Sequence, residues 1–248
     1  EALALTTTPQ PVMLVAGVAA YRVWMAEVGL SPSVVAGHSL GEYSALVAAG
    51  VLTLAQAAPL VRFRARAMQE AVPVGAGAMA AILGMEAAKV IAGCAEAVAS
   101  FGPGSAETVQ AANFNDPAQT VIAGSKAAVD KACEVLKASG AKRALLLPVS
   151  APFHSSLMKP AAENMAEAFE TTMPVAPCVP LVANVSAKRE SDPVQIRDLL
   201  VQQVTATVAT RATPSHSNKK QRGPQGHTER SVTDEHSACA SHNSSHRS

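Results

Sequence analysis

The stretch VVAGHSLGEYSALVAAG, Val34 to Gly50, places a serine between two glycines where an apolar run stops and a helix-forming run begins. Gly37-His38-Ser39-Leu40-Gly41 fits G-x-S-x-G, a sharp strand-to-helix turn that lifts a serine hydroxyl clear of the backbone. Ser33 to Gly37 reads as a short buried strand, and the helix that follows runs to Ala49 and stops at Gly50. Upstream, Gln10 to Val28 reads as an amphipathic helix closed by Gly29. Downstream, Thr53 and Gln56 form a capping box at the start of a long helix. Pro59 lies inside that helix, where a missing N–H predicts a kink or a later start.

From Gly75 the pattern becomes strand, helix, strand, strand, helix, strand, through GAMAAILG, MEAAKVIAGCAEAVAS, VQAANFN, QTVIAG, KAAVDKACEVLKASG and AKRALLLPV. This β-α-β-β-α-β order is the ferredoxin-like one, set here within a larger α/β body. The body, residues 1–72 and 149–204, resumes with helices in HSSLMKPAAENMAEAFET and DPVQIRDLLVQQV and a strand in CVPLVANV; residues 73–148 form the inserted unit. Residues 205–248 contain no Leu, Ile, Met or aromatic residue and hold five of the seven histidines. Such a segment buries too little apolar surface to offset its ordering entropy, so a disordered tail is expected there, with a histidine-rich metal-binding tail as the weaker alternative.

Composition narrows the function. A 48% hydrophobic chain of 248 residues with formal charge +1 is globular. No basic, aromatic-bearing patch precedes the tail, which argues against nucleic acid. The longest apolar run breaks at Tyr21 and Arg22, too short for a bilayer, and no signal peptide is visible, so a cytoplasmic protein without a membrane span is expected. Cys94, Cys133, Cys178 and Cys239 are widely spaced, without metal-ligand spacing, and read as buried free thiols.

A serine nucleophile needs a base within hydrogen-bond reach. Outside the tail the choice lies between His38 and His154. Side chains adjacent at a tight turn diverge, which leaves His154, at a strand end after Pro152 and Phe153. Arg62 and Arg66 share one helix face, whereas Arg64 has Leu60, Val61, Ala67 and Met68 as its helical neighbours and projects from the apolar face. A guanidinium there needs an anion: an internal acid such as Glu42, or a substrate carboxylate. Asn113 and Asn115 lie where a strand turns, with turn chemistry as their first role and lining of the substrate site, by Asn113, as a second.

Together, GHSLGEYSALVAAG, FRARAMQEAVPVGAGAMAAILG, ANFNDPAQTVIAG, AKRALLLPVSAPFHSSLMKPAAE and IRDLLVQQV resemble the malonyl-CoA:acyl carrier protein transacylase family over nearly all of residues 1–204. The resemblance implies an α/β-hydrolase-like body with an inserted ferredoxin-like subdomain. It implies Ser39 as nucleophile, His154 as base, Arg64 as clamp for the malonyl carboxylate and the Leu40 N–H as an oxyanion donor. Leu40 and Phe153 match the malonyl type of the family, Phe153 leaving little room for an α-methyl branch. No cofactor or metal is implied. The substrates are malonyl-CoA and the phosphopantetheine thiol of acyl carrier protein, and the chain is expected to be monomeric. The family opens with a strand and a Gly-Gln-Gly loop that supplies a second oxyanion contact, and continues past the last matched helix into a glycine-rich segment that helps hold the histidine. This chain starts after the first and departs before the second, at about Thr205, so it reads as N-terminally truncated with an unrelated tail. Two other functions fit the same elbow. A serine hydrolase or thioesterase wants an acid between Ser39 and His154, for which Asp116 and Asp130 are available; a catalytically dead fragment would only bind carrier protein.

Overall fold

The computed structural model describes residues 7–149 and 151–209. Helix α1 (Pro9–Glu27) is followed by strand β1 (Val35–Ala36), α2 (Leu40–Ala48) and α3 (Leu54–Glu70). Then come β2 (Gly77–Leu83), α4 (Ala87–Ala99), β3 (Val109–Asp116), β4 (Gln119–Ser125), α5 (Lys126–Ala138) and β5 (Arg143–Leu146). A 3-10 turn (Ser156–Met158) leads into α6 (Lys159–Thr171), and β6 (Leu181–Val182), β7 (Arg189–Glu190), α7 (Pro193–Gln203) and β8 (Val208–Ala209) complete the described chain.

Two sheets result, in a mixed α/β fold. The first has order β1-β6-β7, with β1 parallel to β6 through Val35 opposite Leu181 and Ala36 opposite Val182. The second has order β5-β2-β4-β3-β8, antiparallel except for the parallel β3–β8 pair. Asp116 turns β3 into β4, its carboxylate accepting from the Ala118 N–H at 3.1 Å. Helices α4 and α5 cover one face of this sheet, burying Ile82, Val90, Ile122, Val129 and Leu136. On the other face, Met79, Ala112 and Val121 meet Leu147 and Phe153. Phe153 also packs against the main core, where Leu14, Leu46, Val61, Met68, Met165, Phe169 and Leu200 bring together α1, α2, α3, α6 and α7.

The capping box forms as expected: the Gln56 N–H donates to Thr53 Oγ1 at 3.2 Å and the Thr53 N–H to Gln56 Oε1 at 2.9 Å. It fixes the start of α3 at Leu54, with Pro59 held inside the helix rather than delaying it. Gly29, at φ +69°, closes α1 in the left-handed region. The expected amphipathicity of α1 is absent. Leu14 and Val18 are buried, but Val12, Met13, Val15, Val23 and Trp24 are exposed, so the helix is apolar nearly all round.

The folded part also extends beyond Val204, where the unstructured tail was expected to begin. Val208 is fully buried, β8 pairs with Asn113 and Phe114 of β3, and the Thr207 hydroxyl donates to the Ala111 carbonyl at 2.7 Å. A two-residue strand of Val and Ala is enough because β3 offers it a free edge. The rest of the expected tail, 210–248, lies outside the described residues. Cys94 and Cys133 are free and buried, whereas Cys178 is disulfide-bonded, against the expectation of a free thiol; Cys239 is outside the described residues. Among the described residues no helix is long and apolar enough to cross a membrane, and no three His, Cys, Asp or Glu side chains gather as a metal site.

Candidate active site

Ser39 sits between β1 and α2 at φ 51°, ψ −106°, a conformation that costs a non-glycine residue about 1–3 kcal/mol and persists only where its surroundings enforce it. Two features enforce it here. A Cβ on Gly37 would lie 2.0 Å from the carbonyl group of Gly41, so only glycine lets the chain fold back this tightly. Asn184, just beyond β6, then braces the turn: its Oδ1 accepts from the Ser39 N–H and its Nδ2 donates to the Gly37 carbonyl, both at 2.6 Å.

His154 follows the β5 end and the Pro152–Phe153 step at φ 57°. Its Nδ1 lies 2.7 Å from the Gln203 main-chain carbonyl and its Nε2 2.8 Å from Ser39 Oγ. A carbonyl only accepts, so Nδ1 carries the hydrogen and Nε2 of the neutral ring presents its lone pair to the serine hydroxyl. Burial, and secondarily the Arg64 charge, pushes the imidazole down to about 3. It is therefore neutral at physiological pH and free to take a proton from Ser39.

Arg64 is 1% exposed on the inner face of α3. Its Nη1 donates to Gln10 Oε1 at 2.6 Å, and its Nη2 donates to Gln203 Oε1 at 2.9 Å and to Ser39 Oγ at 3.2 Å. The guanidinium lies over the Tyr43 ring, 5.4 Å from its centre, and its buried Nε has no hydrogen-bond partner among the described residues. The internal ion pair with Glu42 does not form. Among the described residues the salt bridges are Lys126–Asp130, Lys131–Glu134, Lys159–Glu163 and Arg197–Asp198, all at the surface. The Gln203 amide stands between the two charges, its Nε2 donating to Glu42 Oε2 at 2.5 Å and to the Ser39 carbonyl at 3.1 Å. A buried guanidinium hydrogen-bonded, among the described residues, only to neutral oxygens, one of them a serine hydroxyl, is equipped to receive an anionic group there.

The structure thus gathers Ser39, His154 and Arg64 around one oxygen. Leu40 opens α2, so its N–H has no acceptor a turn earlier and is disposed beside the serine. Phe153, half-buried, packs between the main core and the Met79, Ala112 and Val121 cluster, one residue before His154. Asn113 is buried in β3 opposite Val121 and Val208 and makes no hydrogen bond to Ser39, His154 or Arg64 among the described residues. Asn115 instead reaches the elbow, its Oδ1 3.1 Å from His38 Nε2, and His38 is turned away from the serine as expected for adjacent side chains. Sequence reasoning missed Gln203, Asn184, Gln10 and Tyr43. Support for the histidine comes from Gln203, the last residue of α7, which lies inside the matched segments and before the point of departure.

The family model described as "Acyl transferase domain" matches residues 1–226. The chain belongs to the acyl transferase domain family. Among curated relatives of this acyl transferase-domain chain, "Malonyl CoA-acyl carrier protein transacylase" of Escherichia coli (strain K12) is 50% identical over 204 residues, 82% of this chain and 64% of that protein. The protein of the same name from Bacillus subtilis (strain 168) is 45% identical over 208 residues, 84% of this chain and 64% of its own length. The chain therefore spans just under two-thirds of these relatives. A solved acyl-carrier-protein S-malonyltransferase from Burkholderia pseudomallei 1710b superposes with a TM-score of 0.79 at 56% identity, covering 83% of this chain and 65% of that one. A structure described as a type II PKS acyl-carrier protein in complex with its malonyl-transacylase gives 0.78 at 46% identity, covering 83% and 64%.

Proposed function

We propose that this acyl transferase-domain chain moves a malonyl group from malonyl-CoA to the phosphopantetheine thiol of an acyl carrier protein, through a malonyl ester on Ser39. The observation that carries this reading is the convergence on Ser39 Oγ of a neutral imidazole at 2.8 Å and, at 3.2 Å, a buried guanidinium that forms no salt bridge among the described residues. The first activates a nucleophile, and the second selects an acyl group that bears its own carboxylate. The relatives named malonyl CoA-acyl carrier protein transacylase, and the neighbour solved with its carrier protein, support the same donor and acceptor.

His154 Nε2 takes the Ser39 proton as Oγ attacks the thioester carbonyl, and the Leu40 N–H donates to the developing oxyanion. Collapse breaks the C–S bond, and the coenzyme A sulfur leaves with the proton held on Nε2. The carrier thiol then gives its proton to Nε2, attacks the malonyl-serine ester and returns Ser39 to its hydroxyl form. Arg64 grips the malonyl carboxylate through both stages. Leu40 and Phe153 line the acyl end, Phe153 limiting branching next to the thioester, with Asn113 of β3 as a further residue for the substrate side of the site. For the scaffold we infer an α/β-hydrolase-like body, 1–72 and 149–204, with residues 73–148 as a ferredoxin-like insertion, a reading supported by the β5-β2-β4-β3 order.

A hydrolase triad is less well supported. The partner of His154 Nδ1 is a main-chain carbonyl, while Asp116 is exposed at a turn and Asp130 pairs with Lys126. The test is intact-protein mass after brief incubation with malonyl-CoA. A gain of one malonyl group that disappears in Ser39→Ala is expected, with a marked preference over acetyl-CoA that Arg64→Ala abolishes. A folded chain that gains no mass would leave only carrier binding, and one that hydrolyses neutral esters faster than it transfers malonyl would be a hydrolase.

A further inference from the structure

Arg64 and Glu42 are each 1% exposed and lie on either side of one amide: Gln203 Oε1 accepts from Arg64 at 2.9 Å and Gln203 Nε2 donates to Glu42 at 2.5 Å. A guanidinium sealed from water needs a compensating negative charge nearby, and among the described residues only Glu42 is placed to supply it, through this relay. An acyl group that pairs its own carboxylate with Arg64 brings a second anion into the same enclosure. One cation cannot balance two carboxylates there, and a carboxylate crowded by another anion protonates. We infer that Glu42 is the resting counter-charge of Arg64 and takes up one proton from solvent when a substrate carboxylate pairs with Arg64.

The charge of the site then stays constant. Above pH 7, where Glu42 is ionised in the resting fold, Arg64 is balanced by Glu42 before binding; afterwards it is balanced by the substrate, and Glu42 is a neutral acid. Its Oε2 keeps accepting from Gln203 while the proton resides on Oε1, so the amide that also steadies the Ser39 carbonyl does not have to turn. Glu42 thereby acts as a positioning residue: it holds Gln203, and through that amide Arg64, and touches no reacting atom. The groups facing it are Arg64 from α3, Tyr43 from α2, Gln203 from α7 and Asn184 after β6; beyond Arg64 lies the His154 imidazole, and His38 acts on His154 rather than on Glu42. Burial holds Tyr43 up at about 12 and His154 down at about 3, leaving both neutral near pH 7. Burial raises Glu42 to about 7, against the lowering effect of Gln203, the Asn184 backbone and Arg64, so it can change state near neutrality.

This inference rests on the reading of Arg64 as a carboxylate clamp. The test uses the full chain carrying Ser39→Ala, which binds acyl-CoA without transfer, titrated calorimetrically at pH 8 in two buffers of different ionisation enthalpy. Close to one proton taken up with malonyl-CoA and none with acetyl-CoA is expected. Because the bound state holds the extra proton, the Kd for malonyl-CoA should rise between pH 7 and 9 by up to about tenfold per pH unit, while that for acetyl-CoA stays level. Adding Glu42→Gln should remove the uptake and flatten the profile. Equal uptake with both thioesters, no uptake, or uptake that survives Glu42→Gln in a folded chain overturns it. If that double variant does not fold, the two-buffer comparison on the Ser39→Ala chain decides alone. If malonyl preference depends on Arg64 yet binding is pH-independent, the clamp stands and Glu42 falls; if the preference ignores Arg64, the clamp itself is wrong.

Discussion

Gln203 serves the site through two different groups. Its main-chain carbonyl fixes the His154 tautomer, and its side chain ties Arg64, Glu42 and the Ser39 carbonyl together. Gln203→Ala removes only the second function. The His154–Ser39 pair should survive, while Arg64 and Glu42 each lose a charge-assisted bond worth about 1.5–3 kcal/mol. Malonyl transfer should therefore fall by roughly ten- to a hundredfold, with transfer from acetyl-CoA affected much less; parallel rates with the two thioesters check it, and an equal loss on both would point to a displaced histidine. Ser39, His154 and Arg64 were legible in the sequence because each is a costly residue type where its pattern puts it: a serine at a strained turn, a histidine at a strand end, a cation on an apolar helix face. An amide carries no such signal. Gln203 and Asn184 look like ordinary polar residues, and half of what Gln203 does belongs to a backbone carbonyl that any residue would possess.

The elbow makes its demands at the scale of elements. Strand β1 and helix α2 approach so closely that a Cβ at Gly37 would fall 2.0 Å from the Gly41 carbonyl. Gly37→Ala must push α2 away from β1, breaking the paired bonds of Asn184, so Ser39 should lose acylation altogether and the chain about 1–3 kcal/mol of stability. Gly41, where an added Cβ meets nothing among the described residues, should tolerate alanine far better. Intact-mass acylation and urea melts on the two variants separate them. Thr53→Ala tests another junction: loss of the capping box at the start of α3 should cost about 1 kcal/mol, leaving acylation unchanged in the folded fraction. The elements read best from sequence are those with clear periodicity and bounded turns, β2 through α5. The two-residue strands β7 and β8 carry no period, and β6 uses only Leu181 and Val182 of a longer apolar run, since pairing with β1 stops where β1 does.

Across the whole molecule, buried charge gives stability a pH dependence that no composition predicts, because Arg64, Glu42 and His154 come from α3, α2 and the loop after β5 and meet only on folding. His154 is held near 3 when folded, below its ordinary 6.5, so the unfolded chain binds more protons between those values and stability rises with pH across that window. Glu42 is raised from 4.5 to about 7, so the folded chain binds more protons there and stability falls with pH across its window. The two slopes oppose each other between pH 4.5 and 6.5, and the native chain should show little net change there. Glu42→Gln removes one of them. Its stability should then climb with pH through the same interval, by at most about 1.4 kcal/mol per unit. Urea midpoints at pH 5 and 6.5 for the two proteins are the measurement, and identical slopes would mean that Glu42 does not titrate inside the fold.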